Sequence, residues 1–96
     1  MNIKFSWDEK KARTNIQKHK ISFEEAKTVF ADENARLIDD PDHSYEEDRF
    51  IMIGLSSKLK ILTVVHCYRD NDNIIRIISA RKSTKNEERQ YKEFLS

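Results

Sequence analysis

Three ionisable residues stand in runs whose apolar neighbours would bury them. His66 follows Val64-Val65 and precedes Cys67-Tyr68, Arg76 lies between Ile74-Ile75 and Ile77-Ile78, and Arg49 opens Phe50-Ile51-Met52-Ile53. A charged group in such a run must be paired, or must open onto a site. If the runs are strands, alternation sets Leu62, Val64, His66 and Tyr68 on one face, with His66 beside Tyr68. Cleavage of RNA without a metal needs a base for the ribose 2′-hydroxyl, an acid for the leaving 5′-oxygen and a cation for the charge on phosphorus. Histidine titrates near neutrality and arginine grips phosphate through a bidentate fork, so a His, a few Arg and a Tyr can fill these roles. The composition permits that chemistry without showing it. A hydrogen-bonded core histidine, and an Arg76 paired with one of the acidic residues between 32 and 48, are the plainer alternatives.

A second stretch, Arg81-Lys82-Ser83-Thr84-Lys85, joins the last apolar run to a helix start, where free amides, two hydroxyls and three cations favour an anion such as phosphate. The plainer reading is a capped helix with solvated cations. Arg89 follows one turn later, and Tyr91 fits a core position better than a catalytic one. His19 and His43 have no matching His, Cys or paired carboxylate at metal-ligand spacing, so no metal site is expected. The single glycine, Gly54, leaves no phosphate-binding loop or nucleophile elbow. Cys67 is the sole cysteine, which excludes an intrachain disulfide and reads as a small buried hydrophobe.

The elements that must position these residues follow from periodicity. Ile3, Phe5 and Trp7 alternate with polar residues over 2–7, predicting a first strand. Asp8 caps a helix reaching His19 or Lys20, with Ala12 and Ile16 on its apolar side. Ser22 and Glu25 form a capping box for a second helix burying Phe23, Ala26, Val29 and Phe30, with Ile21 stapled onto Ala26. A short strand over 35–38 precedes a turn at Asp39-Asp40-Pro41-Asp42, and 43–48 reads as an exposed acidic stretch. Strands over 49–56, 60–69 and 73–82, with short joins at 57–59 and 70–72, predict an antiparallel meander. Thr84 and Glu87 form another capping box, opening a helix in which Tyr91, Phe94 and Leu95 share a face. The predicted order is β-α-α-β-β-β-β-α, a small α+β domain spanning 1–96.

The chain has 38% apolar and 36% charged residues, so one small core under a densely charged surface is expected. No stretch reads as a targeting signal or a membrane span, and a soluble cytoplasmic protein is expected. The net charge of +1 conceals a division: residues 1–23 carry six Lys/Arg against two Asp/Glu, 24–48 two against ten, and 49–96 ten against five. Binding depends on where charge lies, and the two basic segments can fold onto one face.

Several blocks resemble, in order, the BrnT family of bacterial toxins. They are Phe5-Ser6-Trp7-Asp8-Glu9-Lys10-Lys11, Asn15 with Lys18-His19, Ile21-Ser22-Phe23-Glu24-Glu25-Ala26, Asp40-Pro41-Asp42-His43-Ser44, Glu47-Asp48-Arg49-Phe50, Ile53-Gly54-Leu55-Ser56, Val64-Val65-His66 and Ile77-Ile78-Ser79-Ala80-Arg81-Lys82. Each block is weak alone, and the combination is specific. The resemblance implies a RelE-like sheet carrying helices and a metal-independent ribonuclease without cofactor that stops translation. It implies a BrnA-like ribbon-helix-helix antitoxin as partner, with operator DNA reached only through a complex of two toxins and two antitoxins. Carried over by position, it points to His66, Arg49, Arg76 and Arg81 as catalytic candidates, with His66 the acid-base group. Lys82, Lys85, Arg89, Tyr68 and Tyr91 are candidates for RNA contact. Lys20 stands where relatives often have glycine, a departure expected to alter a helix end.

Two other classes of function remain open from the sequence. A gyrase-type poison would arrest growth with intact RNA, and a non-catalytic module holding a DNA-binding partner would not be toxic on its own.

Overall fold

A computed structural model describes residues 3–40 and 48–95, the side chain of Phe94 excepted. The expected turn at Pro41 and most of the acidic stretch from His43 lie outside the described residues. Among the described residues the elements are β1 (Lys4–Ser6), α1 (Glu9–His19), α2 (Phe23–Thr28), a 3-10 turn (Val29–Ala31), β2 (Arg36–Asp39), β3 (Phe50–Leu55), β4 (Ile61–Arg69), β5 (Ile74–Lys82) and α3 (Lys85–Leu95). This is the expected α+β order.

The strands form one sheet in the order β1-β5-β4-β3-β2. Strands β2 to β5 are an antiparallel meander, and β1 joins β5 in parallel at the far edge. On one face, α1 and α2 bury Ala12, Ile21, Phe23, Ala26 and Val29 against Leu62, Val64, Ile77 and Ala80. On the other, Tyr91 of α3 packs with Ile51 and Ile53, beside Ile38, Ile61 and Val65. Each large side chain so buried contributes roughly 1.5–3 kcal/mol before entropy is counted.

One irregularity governs which residues share a face. Val65 pairs with Ser79, whereas His66 pairs with Ile77, so β5 carries an extra residue at Ile78. Strict alternation would put Ile77 and Ala80 on opposite faces, and Arg76 and Arg81 likewise. The bulge brings Ile77 and Ala80 into one core, and Arg76 and Arg81 onto the opposite side.

The helix ends follow their local chemistry. Asp8 accepts from the Lys10 and Lys11 amides at 2.8 and 3.2 Å. Lys20 ends α1 in the left-handed region at φ 62°, its amide bonded to the Ile16 carbonyl, a conformation that suits glycine. Ile16 itself is 46% exposed. The residue α1 turns inward beside Ala12 is Asn15, because its amide has backbone partners on β5. The Ser22 hydroxyl caps Glu25, but Glu25 does not complete the box. Its buried carboxylate accepts from Ser56 at 2.7 Å and faces Lys60 at 3.7 Å, tying α2 to the β3–β4 hairpin. Thr84 and Glu87 do form the reciprocal pair at α3. Leu95, one turn beyond Tyr91, is half-exposed and is not among the residues packed with it. Gly54 has no room for a side chain: a Cβ would stand 2.8 Å from Val29 Cγ1 and 3.0 Å from Ala35 Cβ.

Candidate active site

His66 is fully buried on the α1/α2 face of β4. The Phe30 ring stands edge-on to its imidazole with centroids 4.8 Å apart, and Phe50 lies beyond at 6.2 Å. Its Nδ1 is 3.2 Å from the Val64 carbonyl and its Nε2 is 3.2 Å from the Tyr68 hydroxyl. A carbonyl only accepts, so Nδ1 carries the proton, and in the neutral ring Nε2 accepts from Tyr68. Burial lowers the His66 pKa below 6.5, against the pull of the Val64 bond, so the ring is neutral at pH 7. Burial, and then Asp72, push the Tyr68 phenol up. The pair is therefore a neutral acceptor holding a neutral donor.

Tyr68 is only half-buried and forms part of two surface hollows. One, of about 480 Å³, also includes Leu37, Asp48, Phe50 and Asp72. The other, of about 520 Å³, is mainly apolar, with Phe5, Phe30, Met52 and Ile75 beside Lys27 and Thr28. Charge separates them: Asp48 and Asp72 repel a phosphate from the first, whereas the second has Lys27 at its rim, paired with Glu24 at 3.3 Å on the exposed surface, where such a pair is weak and exchangeable. Lys27 escaped the sequence reading because its one signal is a position on the exposed side of α2.

The arginines lie elsewhere. Arg76 pairs across the sheet with Cys67, and Arg49, one residue beyond the Phe50–His66 pair, extends the same row across β3. Alternation sets both on the face opposite His66. Cys67 between them is buried and forms no disulfide. Arg76 is close enough to Asp8, outside the acidic segment, to help lower its carboxyl after the Lys11 and Lys10 amides.

Arg81 shares that side of β5 but is engaged. Its guanidinium meets the Glu87 carboxylate through two bonds, of 2.7 and 3.0 Å. Glu87 Oε1 also accepts from the Thr84 amide and from Thr63, to which Ser83 donates. The Arg81 bond, then the Thr84 and Thr63 bonds, overcome burial and hold Glu87 at about 2. A carboxylate of the chain itself thus occupies the anion position expected at the start of α3. The capping-box spacing had pointed to Glu87, though not to its hold on Arg81.

Lys82, Lys85 and Arg89 are exposed. Lys85 and Arg89 share a groove on α3 with Glu88, Lys92 and Glu93, while Arg89 also bonds Asn86. Tyr91 is buried, and its hydroxyl donates to Asp32 at 2.6 Å. Burial and that carboxylate push its pKa to about 12. Asp32 accepts from the Leu55 and Asn34 amides too; although burial pushes its carboxyl up, these bonds prevail and hold it low. Tyr91 thereby ties α3 to the 3-10 turn. The structure brings His66 and Tyr68 together, sets Arg49 and Arg76 in a row behind them, and leaves Arg81, Tyr91 and the exposed cations apart.

Among the described residues no three His, Cys, Asp or Glu side chains converge as metal ligands, and no helix is long and apolar enough to cross a membrane. None of the curated proteins compared matches the chain significantly. Among solved structures, the chain is similar to the 1.1 Å crystal structure of the Brucella abortus ribonuclease toxin, BrnT. The TM-score is 0.67 at 27% sequence identity, over 88% of this chain and 100% of that one. The family model described as ribonuclease toxin, BrnT, of type II toxin-antitoxin systems matches residues 7–87. That span holds His66, Tyr68 and the three arginines, and with the shared fold it shows that the chain belongs to the BrnT ribonuclease toxin family.

Proposed function

We propose that this toxin cleaves RNA by internal transesterification, without a metal, and so blocks translation in the cytoplasm. The observation that carries the reading is the hydrogen bond from the Tyr68 hydroxyl to the neutral Nε2 of His66. The ribose 2′-hydroxyl gives its proton to Tyr68 Oη as the phenol's own proton passes to His66 Nε2. The 2′-oxygen forms its bond to phosphorus and the bond to the 5′-oxygen breaks. The relay then runs backwards, and the leaving 5′-oxygen takes the proton. The products are a 2′,3′-cyclic phosphate and a 5′-hydroxyl, with both side chains restored. The buried imidazolium is disfavoured, which speeds return of the proton.

Lys27 supplies positive charge on the side from which phosphate approaches Tyr68. Arg49 and Arg76 hold the RNA backbone where it rounds the strand ends, and Lys82, Lys85 and Arg89 add long-range attraction. Arg81 positions α3 through Glu87, as Tyr91 does through Asp32. A ribbon-helix-helix antitoxin of the BrnA kind neutralises the toxin in an assembly of two copies of each and carries it to operator DNA.

Expression of the chain alone in bacteria, beside Tyr68→Phe and His66→Gln, tests this reading. Growth arrest with RNA breakdown, lost in both variants, is expected. Arrest with intact RNA would indicate a poison of another target, and unimpaired growth from folded protein a binding module.

A further inference from the structure

Strand β1 ends at Ser6, paired with Arg76, so the edge of β5 beyond Arg76 has no strand partner. Helix α1 lies along that edge, and the buried Asn15 amide takes the place of a strand, bonding both backbone groups of Ala80. Beside this seam is a groove of about 310 Å³ lined by Lys10, Lys11, Lys18, His19 and Ser79. Among the described residues no acidic one lines it. Lys11 is near enough to Asp8 to influence its carboxyl. Even so, among the described residues none of the four basic side chains forms an ion pair. Four lysines on other faces have carboxylates at hand: Lys27 pairs with Glu24 and Lys60 with Glu25, and Lys85 and Lys92 share their groove with Glu88 and Glu93.

Concavity, uncompensated like charge and a neighbouring hydroxyl together describe a seat for a polyanion. Lys11 and Lys18 are two helical turns apart, about 10 Å along the axis, so the groove engages a chain of charges better than a single ion. Lys82, exposed two residues beyond Ala80, extends the same charge along β5. We propose that the α1–β5 groove binds the phosphate backbone of a nucleic-acid strand, apart from the Tyr68–His66 pair. The inference builds on the ribonuclease reading by giving the substrate a second point of attachment.

The test measures binding instead of cleavage. A 2′-O-methyl RNA oligonucleotide, which cannot undergo transesterification, is titrated by fluorescence anisotropy across a range of salt concentrations. The proteins are the full chain, Lys11→Gln/Lys18→Gln, and Lys58→Gln/Lys92→Gln as a control for charge lost elsewhere. The groove variant should bind about tenfold more weakly at low salt, with a log–log salt slope shallower by about 1.4; the control pair should change neither as much. Equal loss in both variants, or unchanged binding in the groove variant, overturns the proposal. So does a groove variant that binds RNA normally but loses an acidic protein partner. Wild-type cleavage assayed in parallel separates the two readings: active enzyme with an indifferent groove removes this inference alone, and inactive enzyme with a groove-dependent affinity removes only the catalytic one.

Discussion

The side-chain amide of Asn15 bonds the Ala80 carbonyl at 2.8 Å and accepts from the Ala80 amide at 3.1 Å, across 65 residues of sequence. Its nitrogen also donates to the Ile21 carbonyl at 2.8 Å. One buried side chain closes the open edge of β5 and fixes the turn after α1. Asn15→Ala leaves these backbone groups unsatisfied and should lower stability by about 2–3 kcal/mol. Urea unfolding measures this; a loss under 1 kcal/mol, on the order of an exposed substitution, would show that the amide is dispensable.

Lys20 takes a left-handed conformation at the end of α1. Lys20→Gly removes that strain at the cost of one bond from Nζ to the Gln17 carbonyl, and should stabilise the fold by up to about 1 kcal/mol. Thermal unfolding should show a higher midpoint, and a lower one would contradict the account.

Glu87 is held at about 2, below its ordinary 4.5. The folded state binds this proton less readily than the unfolded chain, so the stabilisation is complete above 4.5 and disappears as pH falls towards 2. Glu87→Gln should therefore be less stable than wild type at neutral pH, with the gap closing through that acid window. Urea midpoints at several pH values decide it. A gap independent of pH would show that the carboxylate charge is irrelevant.

His66 predicts a second acid effect of its own. Its folded pKa lies below 6.5, so as pH falls below that value the unfolded chain takes up a proton that the folded chain refuses. Stability should decline from there downwards. His66→Gln should lack this decline while keeping the Glu87 window. If both proteins decline alike near pH 6, another group is responsible.

Much of this was legible in the sequence. Periodicity and caps placed the five strands and three helices, though not the 3-10 turn that takes Val29 and Phe30 out of α2, and Val64-Val65-His66-Cys67-Tyr68 placed His66 beside Tyr68. The rest depended on groups far apart in the chain. Alternation fails on β5 because a bulge at Ile78 is invisible to a period of two. Asn15 gave no signal of burial in the sequence, because its partner is the backbone of Ala80. Ser22 and Glu25 had capping-box spacing, yet Glu25 turns to Ser56 and Lys60. Arg81 meets a carboxylate six residues on, a contact that the basic stretch 81–85 did not announce. The mean charge concealed a groove where α1 alone brings its lysines against β5.

The most direct test of the central claim is the initial rate of cleavage of a defined RNA oligonucleotide by the purified chain in excess chelator. It is followed across pH for wild type and Tyr68→Phe. Wild type should cleave, with a rate level near neutrality and falling in acid as His66 is protonated, at a pH below 6.5. Tyr68→Phe, folded to the same extent, should be slower by about 100-fold or more. Cleavage that vanishes in chelator and returns with a divalent metal, or a Tyr68→Phe rate equal to wild type, would contradict the account.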